Sequence, residues 1–233
     1  MAWMCSGRTN AELVANLRRE GLISSARVAD AMAQVDRKLY CPDKRSAYQD
    51  SPQPIGYAAT ISAPHMHAHA AEELLEYLQP DSSVLDIGSG SGYLASVFHH
   101  LVKPRESQGG EGKVSEAHSG SRVVGIEHIE PLVTQSRVNM ENDGLGEAMQ
   151  SGQIEMVVGD GRKGEVDLFT HIEIEIALTL LSFSMPGWPA RAPYNAIHVG
   201  AASPPSVLDI LEGQLAKPGR LFIPVEDPLT GEQ

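Results

Sequence analysis

Apolar positions along the chain follow two rhythms, and the change from one to the other divides it. Up to Pro80 the rhythm is helical. Leu13 and Leu17 share a face, behind the capping pattern Thr9-x-x-Glu12 and ahead of Gly21, a helix-ending residue. Val28, Met32, Val35 and Leu39 recur at helical spacing after Ser24 or Ser25, which predicts one helix from there to Pro42. Asp50–Gly56 is rich in turn residues. Tyr57–Ser62 reads as short and extended. Ser62 then stands as N-cap of a helix with Pro64 in its first turn. That helix is predicted to bury Met66, Ala70, Leu74 and Leu78 and to close at Pro80.

Beyond Ser83 short apolar runs alternate with helical patterns. Strands are predicted at Ser83–Ile87, Arg122–Glu127, Ile154–Val158, Asn195–Val199 and Leu221–Val225. Helices are predicted over Tyr93–Val102, from Pro131 toward Met140, and from Pro204 through Leu208, Leu211 and Leu215. Such alternation implies a parallel sheet with helices on both faces. Right-handed crossovers then place every strand's C-terminal end on one edge, where Asp86, Glu127 and Asp160 converge. A single domain is expected, with 1–80 as a helical flank and 81–233 as the α/β core.

Two stretches break the alternation. Lys103–Ser121 is polar, rich in Gly and Ser, and aperiodic, which reads as a loop inserted into a βαβ unit. In Glu165–Ala192, Ile172–Ile176 alternates like a strand, Ala177–Phe183 is almost wholly apolar, and Met185–Pro189 breaks the pattern. This is either an extra hairpin or helix, or a segment foreign to the fold.

The chemistry centres on Val84-Leu85-Asp86-Ile87-Gly88-Ser89-Gly90-Ser91-Gly92. A buried strand turns sharply into a helix there, and the glycines let the backbone take positive φ and let a ligand approach closely. The spacing is G-x-G-x-G, unlike the G-x-G-x-x-G of dinucleotide-binding turns. The net charge of −12 argues against a nucleic-acid or anionic-membrane partner. Only Cys5 and Cys41 are present, and no apolar run is long enough for a membrane span, so a reducing, cytoplasmic setting is expected. His65 and His69 have metal-ligand spacing, but no adjacent Glu or third ligand accompanies them, and no metal is expected.

The glycine turn, with Asp86 before it, resembles the first motif of class I S-adenosylmethionine (AdoMet) methyltransferases. Further stretches are more specific: DSPQPIGYAATISAPHMHAHA at 50–70, GIEHIEPLV at 125–133, VVGDGR at 157–162, AIHVGAA at 196–202 and KPGRLFIPV at 217–225. With these and the opening MAW, the chain resembles the protein-L-isoaspartate (D-aspartate) O-methyltransferase family. The resemblance implies an α/β Rossmann-like fold with an N-terminal helical extension on the substrate side. With the chain stopping at Gln233, truncated C-terminal strands are expected. It also implies AdoMet as cofactor and isoaspartyl- or D-aspartyl-containing peptides and proteins as partners. The chain is expected to act as a monomer.

Ser62 matches the family's active-site serine, and Ala59, Thr60 and Ile61 complete its extended segment over the cofactor. By the same resemblance His67 and His128 approach the cofactor. Asp86, Gly88 and Ser91 belong to the turn. Glu127, at a strand end, suits the ribose hydroxyls, and Asp160 beside Gly161 suits the adenine amino group. His198 reads as a satisfied core residue. Methylation of a carboxylate needs no general base, because a group of pKa ~4 is already ionised at neutral pH. The second reading is an AdoMet-binding chain without catalysis, with an interaction or regulatory role, motivated by the end at Gln233 and by Glu165–Ala192.

Overall fold

In the computed structural model the described residues are 5–104, 120–159, 187–201 and 207–224. Helix α1 (Asn10–Arg19) starts at Thr9, whose hydroxyl accepts the Glu12 N–H at 3.1 Å. The Glu12 carboxylate reaches back to the Arg8 N–H at 2.9 Å rather than to Thr9, so the capping box closes one residue early. Gly21 takes φ +75°, as a helix end requires.

Helix α2 (Ala26–Gln34) is capped by the Ser25 hydroxyl, which accepts from Val28 N–H at 3.1 Å. The single helix predicted to Pro42 does not form. Val35 is extended, and the Asp36 carboxylate caps a new turn, α3 (Arg37–Tyr40), by accepting the Lys38 N–H at 3.1 Å. An Asp side chain offers the backbone a local partner that competes with the helix ladder. The break turns Arg37 and Tyr40 into the interior.

Strands β1 (Gln53–Gly56) and β2 (Ala59–Ile61) pair as an antiparallel hairpin. Tyr57 and Ala58, predicted extended, form its turn at φ 54° and 57°. Helix α4 (Pro64–Leu74) has Ala63, not Ser62, at the N-cap, and no side chain of its own start caps it. The cap comes from Asp50, whose Oδ1 accepts the His65 N–H at 3.0 Å and meets His65 Nδ1 at 2.8 Å. Met66 is 53% exposed, against expectation; the inward face carries His67, Ala70, Ala71 and Leu74.

The core follows as β3 (Ser83–Ile87), α5 (Tyr93–Val102), β4 (Arg122–Glu127), α6 (Glu130–Asn142), α7 (Gly146–Gln150), β5 (Ile154–Val158), β6 (Tyr194–Val199), α8 (Leu208–Glu212) and β7 (Leu215–Phe222). The strand order is β5-β4-β3-β6-β7, and every pairing is parallel. Burial on both faces explains why these strands read as near-continuous apolar runs. One core lies between the sheet and the N-terminal helices with α5. A second, built on Leu85, Val124, Ile197 and Leu211, covers the other face.

Leu215 begins β7 instead of extending a helix, and the β6–β7 register shifts between Tyr194 and Ala196. Helix α7 carries no strong periodicity and was not anticipated. At the end of Glu165–Ala192, Trp188 donates its N–H to Gln214 Oε1 at 2.9 Å and accepts from the Tyr194 hydroxyl at 2.8 Å. Residues 160–186, including Asp160 and Gly161, lie outside the described residues. No helix among the described residues is long and apolar enough to cross a membrane.

Candidate active site

The sheet reverses direction at β3: the chain runs outward through β4 and β5, then returns to β6 on the other side. Such a point leaves a crevice at the strand ends. Gly88, Gly90 and Gly92 all have positive φ there. A Cβ on Gly92 would come within 2.8 Å of Met140 Cε, so the turn also depends on close packing against α6. The carbonyl of Ile126 accepts the N–H groups of Gly88 and Ser89 at 2.8 and 3.0 Å, anchoring the turn to β4.

Glu127 ends β4 and is 5% exposed. Its Oε2 accepts the Gly90 N–H at 3.1 Å, and its Oε1 accepts the Ile129 N–H at 3.1 Å. His128 Nδ1 lies 2.9 Å from the same Oε1. The carboxylate thus links the two loops and still has acceptor capacity. It lines a cavity of about 270 Å³ with Ala58, Ala59, Thr60, Gly88 and His128. A smaller space of about 50 Å³ adjoins it, bounded by Thr60, Ile61, Ser62, His67, Asp86 and Ser91 among others. An outer cavity of about 520 Å³ opens between α4 and the end of β7, lined by Leu22, Met66, His69 and Phe222. Ser62, His67, His198 and Gly200 border both the small space and the outer cavity.

Ser62 therefore stands at the junction of the inner crevice and the outer cavity. Its carbonyl accepts from Arg37 Nη2 at 2.8 Å. Its hydroxyl, freed from the capping role predicted for it, makes no hydrogen bond among the described residues. His67 is buried, and burial, followed by the charge of Arg37, holds its imidazole well below the usual pKa. It is neutral at physiological pH.

Asp86 and His198 are register partners on β3 and β6, and His198 Nδ1 lies 2.7 Å from Asp86 Oδ1. His198 is satisfied by this contact, as expected, and in addition borders the small space and the outer cavity. The signal for it was available: each of two adjacent apolar strands carries a polar side chain near its end. Among the described residues Asp86 Oδ2 and Ser89 Oγ are buried without a hydrogen-bond partner. Arg37 and Asp50 were also missed, because nothing local marks a buried Arg or a cap supplied from a distant loop. His65 pairs with Asp50, and His69 sits edge-on to Phe222 at 5.4 Å.

These residues suit AdoMet. Among the described residues Asp86 Oδ2 is a buried acceptor without a donor, and an ammonium group would supply one. Glu127 can take hydroxyl donors beside its two backbone bonds. The fold and crevice define a class I AdoMet-dependent methyltransferase. The sequence profile of the protein-L-isoaspartate(D-aspartate) O-methyltransferase family matches residues 8–177 and 178–233. Its junction falls inside Glu165–Ala192. A Triticum aestivum protein-L-isoaspartate O-methyltransferase is 42% identical over 93% of this chain and 77% of its own length. The Caenorhabditis elegans protein of that name is 41% identical over 97% and 82%. Among solved structures, the Plasmodium falciparum protein-L-isoaspartate O-methyltransferase in complex with S-adenosyl-L-homocysteine aligns with a TM-score of 0.73 and 29% identity, covering 95% of this chain and 86% of its own. The chain belongs to the protein-L-isoaspartate(D-aspartate) O-methyltransferase family and is an AdoMet-dependent protein carboxyl O-methyltransferase.

Proposed function

We propose that isoaspartyl and D-aspartyl carboxylates are methylated at the junction bordered by Ser62, with AdoMet held on the inner side by the turn and Glu127. The observation that carries this is the Ser62 hydroxyl: it has no partner among the described residues and borders both inner space and outer cavity. AdoMet supplies a methyl group on a positively charged sulfur. The protein must align a carboxylate with it and exclude water, a contribution on the order of 7–11 kcal/mol at best. Ser62 donates a hydrogen bond to one carboxylate oxygen and leaves the other to react. Ala59 and Thr60 wall the cofactor side, and Ile61, buried in the small space, closes it from water. His128, which lines the same cavity as Glu127, and Ser91, which lines the small space beside it, would complete the cofactor side.

For Asp160 and Gly161 the adenine-side role is proposed from the sequence alone. The buried, unbridged thiols of Cys5 and Cys41 support a reducing, cytoplasmic setting. The acidic charge supports the absence of a nucleic-acid or anionic-membrane partner, and the working state is a monomer. The test is methyl transfer to an isoaspartyl peptide, its D-aspartyl counterpart and the normal aspartyl peptide. Transfer to the first two alone is expected. Transfer to none, or equal transfer to the normal peptide, would overturn the proposal.

A further inference from the structure

Among the described residues Arg37 is one of the largest fully buried side chains. A guanidinium out of water is costly, and the usual remedy is a carboxylate partner. Among the described residues no carboxylate accepts a hydrogen bond from it. Nε donates to the Ala47 carbonyl at 3.0 Å, and Nη2 donates to the Ser62 carbonyl at 2.8 Å. Nη1 lies 3.3 Å from His67 Nδ1, and the cation sits 5.3 Å from the Tyr93 ring centroid. One rigid fork thus ties together the loop at Ala47, the catalytic segment at Ser62 and helix α4.

The contact with His67 has one chemical solution. Arginine has no acceptor and stays protonated in proteins. The guanidinium therefore donates, Nδ1 is bare, and His67 carries its proton on Nε2. A second proton on Nδ1 would set two cations against each other in the interior. The other groups near the imidazole do not reverse this. Tyr93 packs on it from α5 at 4.9 Å, and His198 on β6 and His65 on its own helix both oppose a positive charge. Asp50, the nearby buried carboxylate, is engaged by His65.

We propose that Arg37 is a positioning residue for methyl transfer, pinning the Ser62 backbone and fixing His67 as a neutral Nε2–H donor on the crevice wall. The proposal rests on Ser62 marking the acceptor position. A neutral donor can hold a carboxylate oxygen across the physiological pH range without itself titrating. Lysine keeps the charge but cannot reach three acceptors on three segments with one nitrogen.

The test uses the full-length protein. Heteronuclear NMR of labelled histidine, with the His67 signals assigned by their loss in His67→Gln, reads the tautomer. The Nε2–H form is expected in the parent protein from about pH 6 to pH 8. In Arg37→Lys the His67 signals should shift to a mixture of tautomers. AdoMet affinity should be unchanged by calorimetry, while kcat on an isoaspartyl peptide falls about 100-fold, the scale of a small misplacement of reacting groups. An imidazolium or Nδ1–H signal in the parent protein would overturn the proposal. So would an Arg37→Lys variant that melts earlier yet keeps its kcat and its His67 tautomer, since that is what a purely structural role predicts. Should Arg37→Lys not fold, the parent tautomer decides alone. Failure of the parent to methylate any peptide would sink the functional assignment, and the tautomer would still be read.

Discussion

Replacing Glu127 by glutamine removes the charge of the crevice carboxylate while keeping its shape. The side chain is almost fully buried, and its two oxygens serve different loops: Oε2 takes the Gly90 N–H and Oε1 the Ile129 N–H. An amide has one acceptor oxygen. Its NH2 must therefore confront one of those N–H groups, donor against donor. Hydrogen bonds to charged groups contribute about 1.5–3 kcal/mol each, so at least one such contribution is lost. The cofactor hydroxyls that use the remaining acceptor capacity lose a charged partner as well. AdoMet affinity should fall by roughly 10- to 150-fold, the equivalent of about 1.5–3 kcal/mol. Calorimetry with AdoMet and its demethylated product gives that value directly, and NAD serves as a control that should not bind. A melting curve of the ligand-free variant separates loss of the loop tie from loss of ligand contacts. If Glu127→Gln melts earlier but binds AdoMet as tightly as the parent, Glu127 is a brace for the turn and not a ligand contact.

Ser62→Ala should lower kcat more than it weakens AdoMet binding; equal turnover at matched folding would remove the hydroxyl from the reaction. Gly92→Ala places a Cβ 2.8 Å from Met140 Cε and 3.1 Å from Ser136 Cβ at φ +84°. Denaturant titration should show a loss of about 1–3 kcal/mol, as for other overpacked sites, and an unchanged midpoint would mean the α5–α6 contact is loose. Burial lowers the His99 and His100 pKa values to about 4, so both are neutral in the folded state at neutral pH. Because the unfolded chain binds these protons first, their contribution is complete above the ordinary His value and is lost as pH falls toward about 4. The melting temperature should drop across that window, and His99→Gln should flatten the drop; parallel curves for the two proteins would refute the assignment.

Much of the molecule was set by local chemistry and could be read from the chain. Thr9 and Ser25 cap helices because the hydroxyl and the N–H that it meets lie three residues apart. The alternation of apolar runs with helical patterns specifies a parallel sheet, and handedness then puts Asp86 and Glu127 on one edge. The glycine turn follows from backbone geometry. Tertiary structure decided the rest, because the partners are remote in sequence. Asp86 meets His198 across 112 positions, and Ser62 is relieved of capping by a carboxylate on a different loop. The helix predicted through Val35 breaks since Asp36 finds partners in Lys38 and Tyr48, and only that break brings Arg37 beneath Ser62 and His67. Periodicity records which face of a segment is apolar. It does not record which buried polar group will find its partner on another segment, and that pairing is what sets the protonation of His67 and releases the Ser62 hydroxyl from capping.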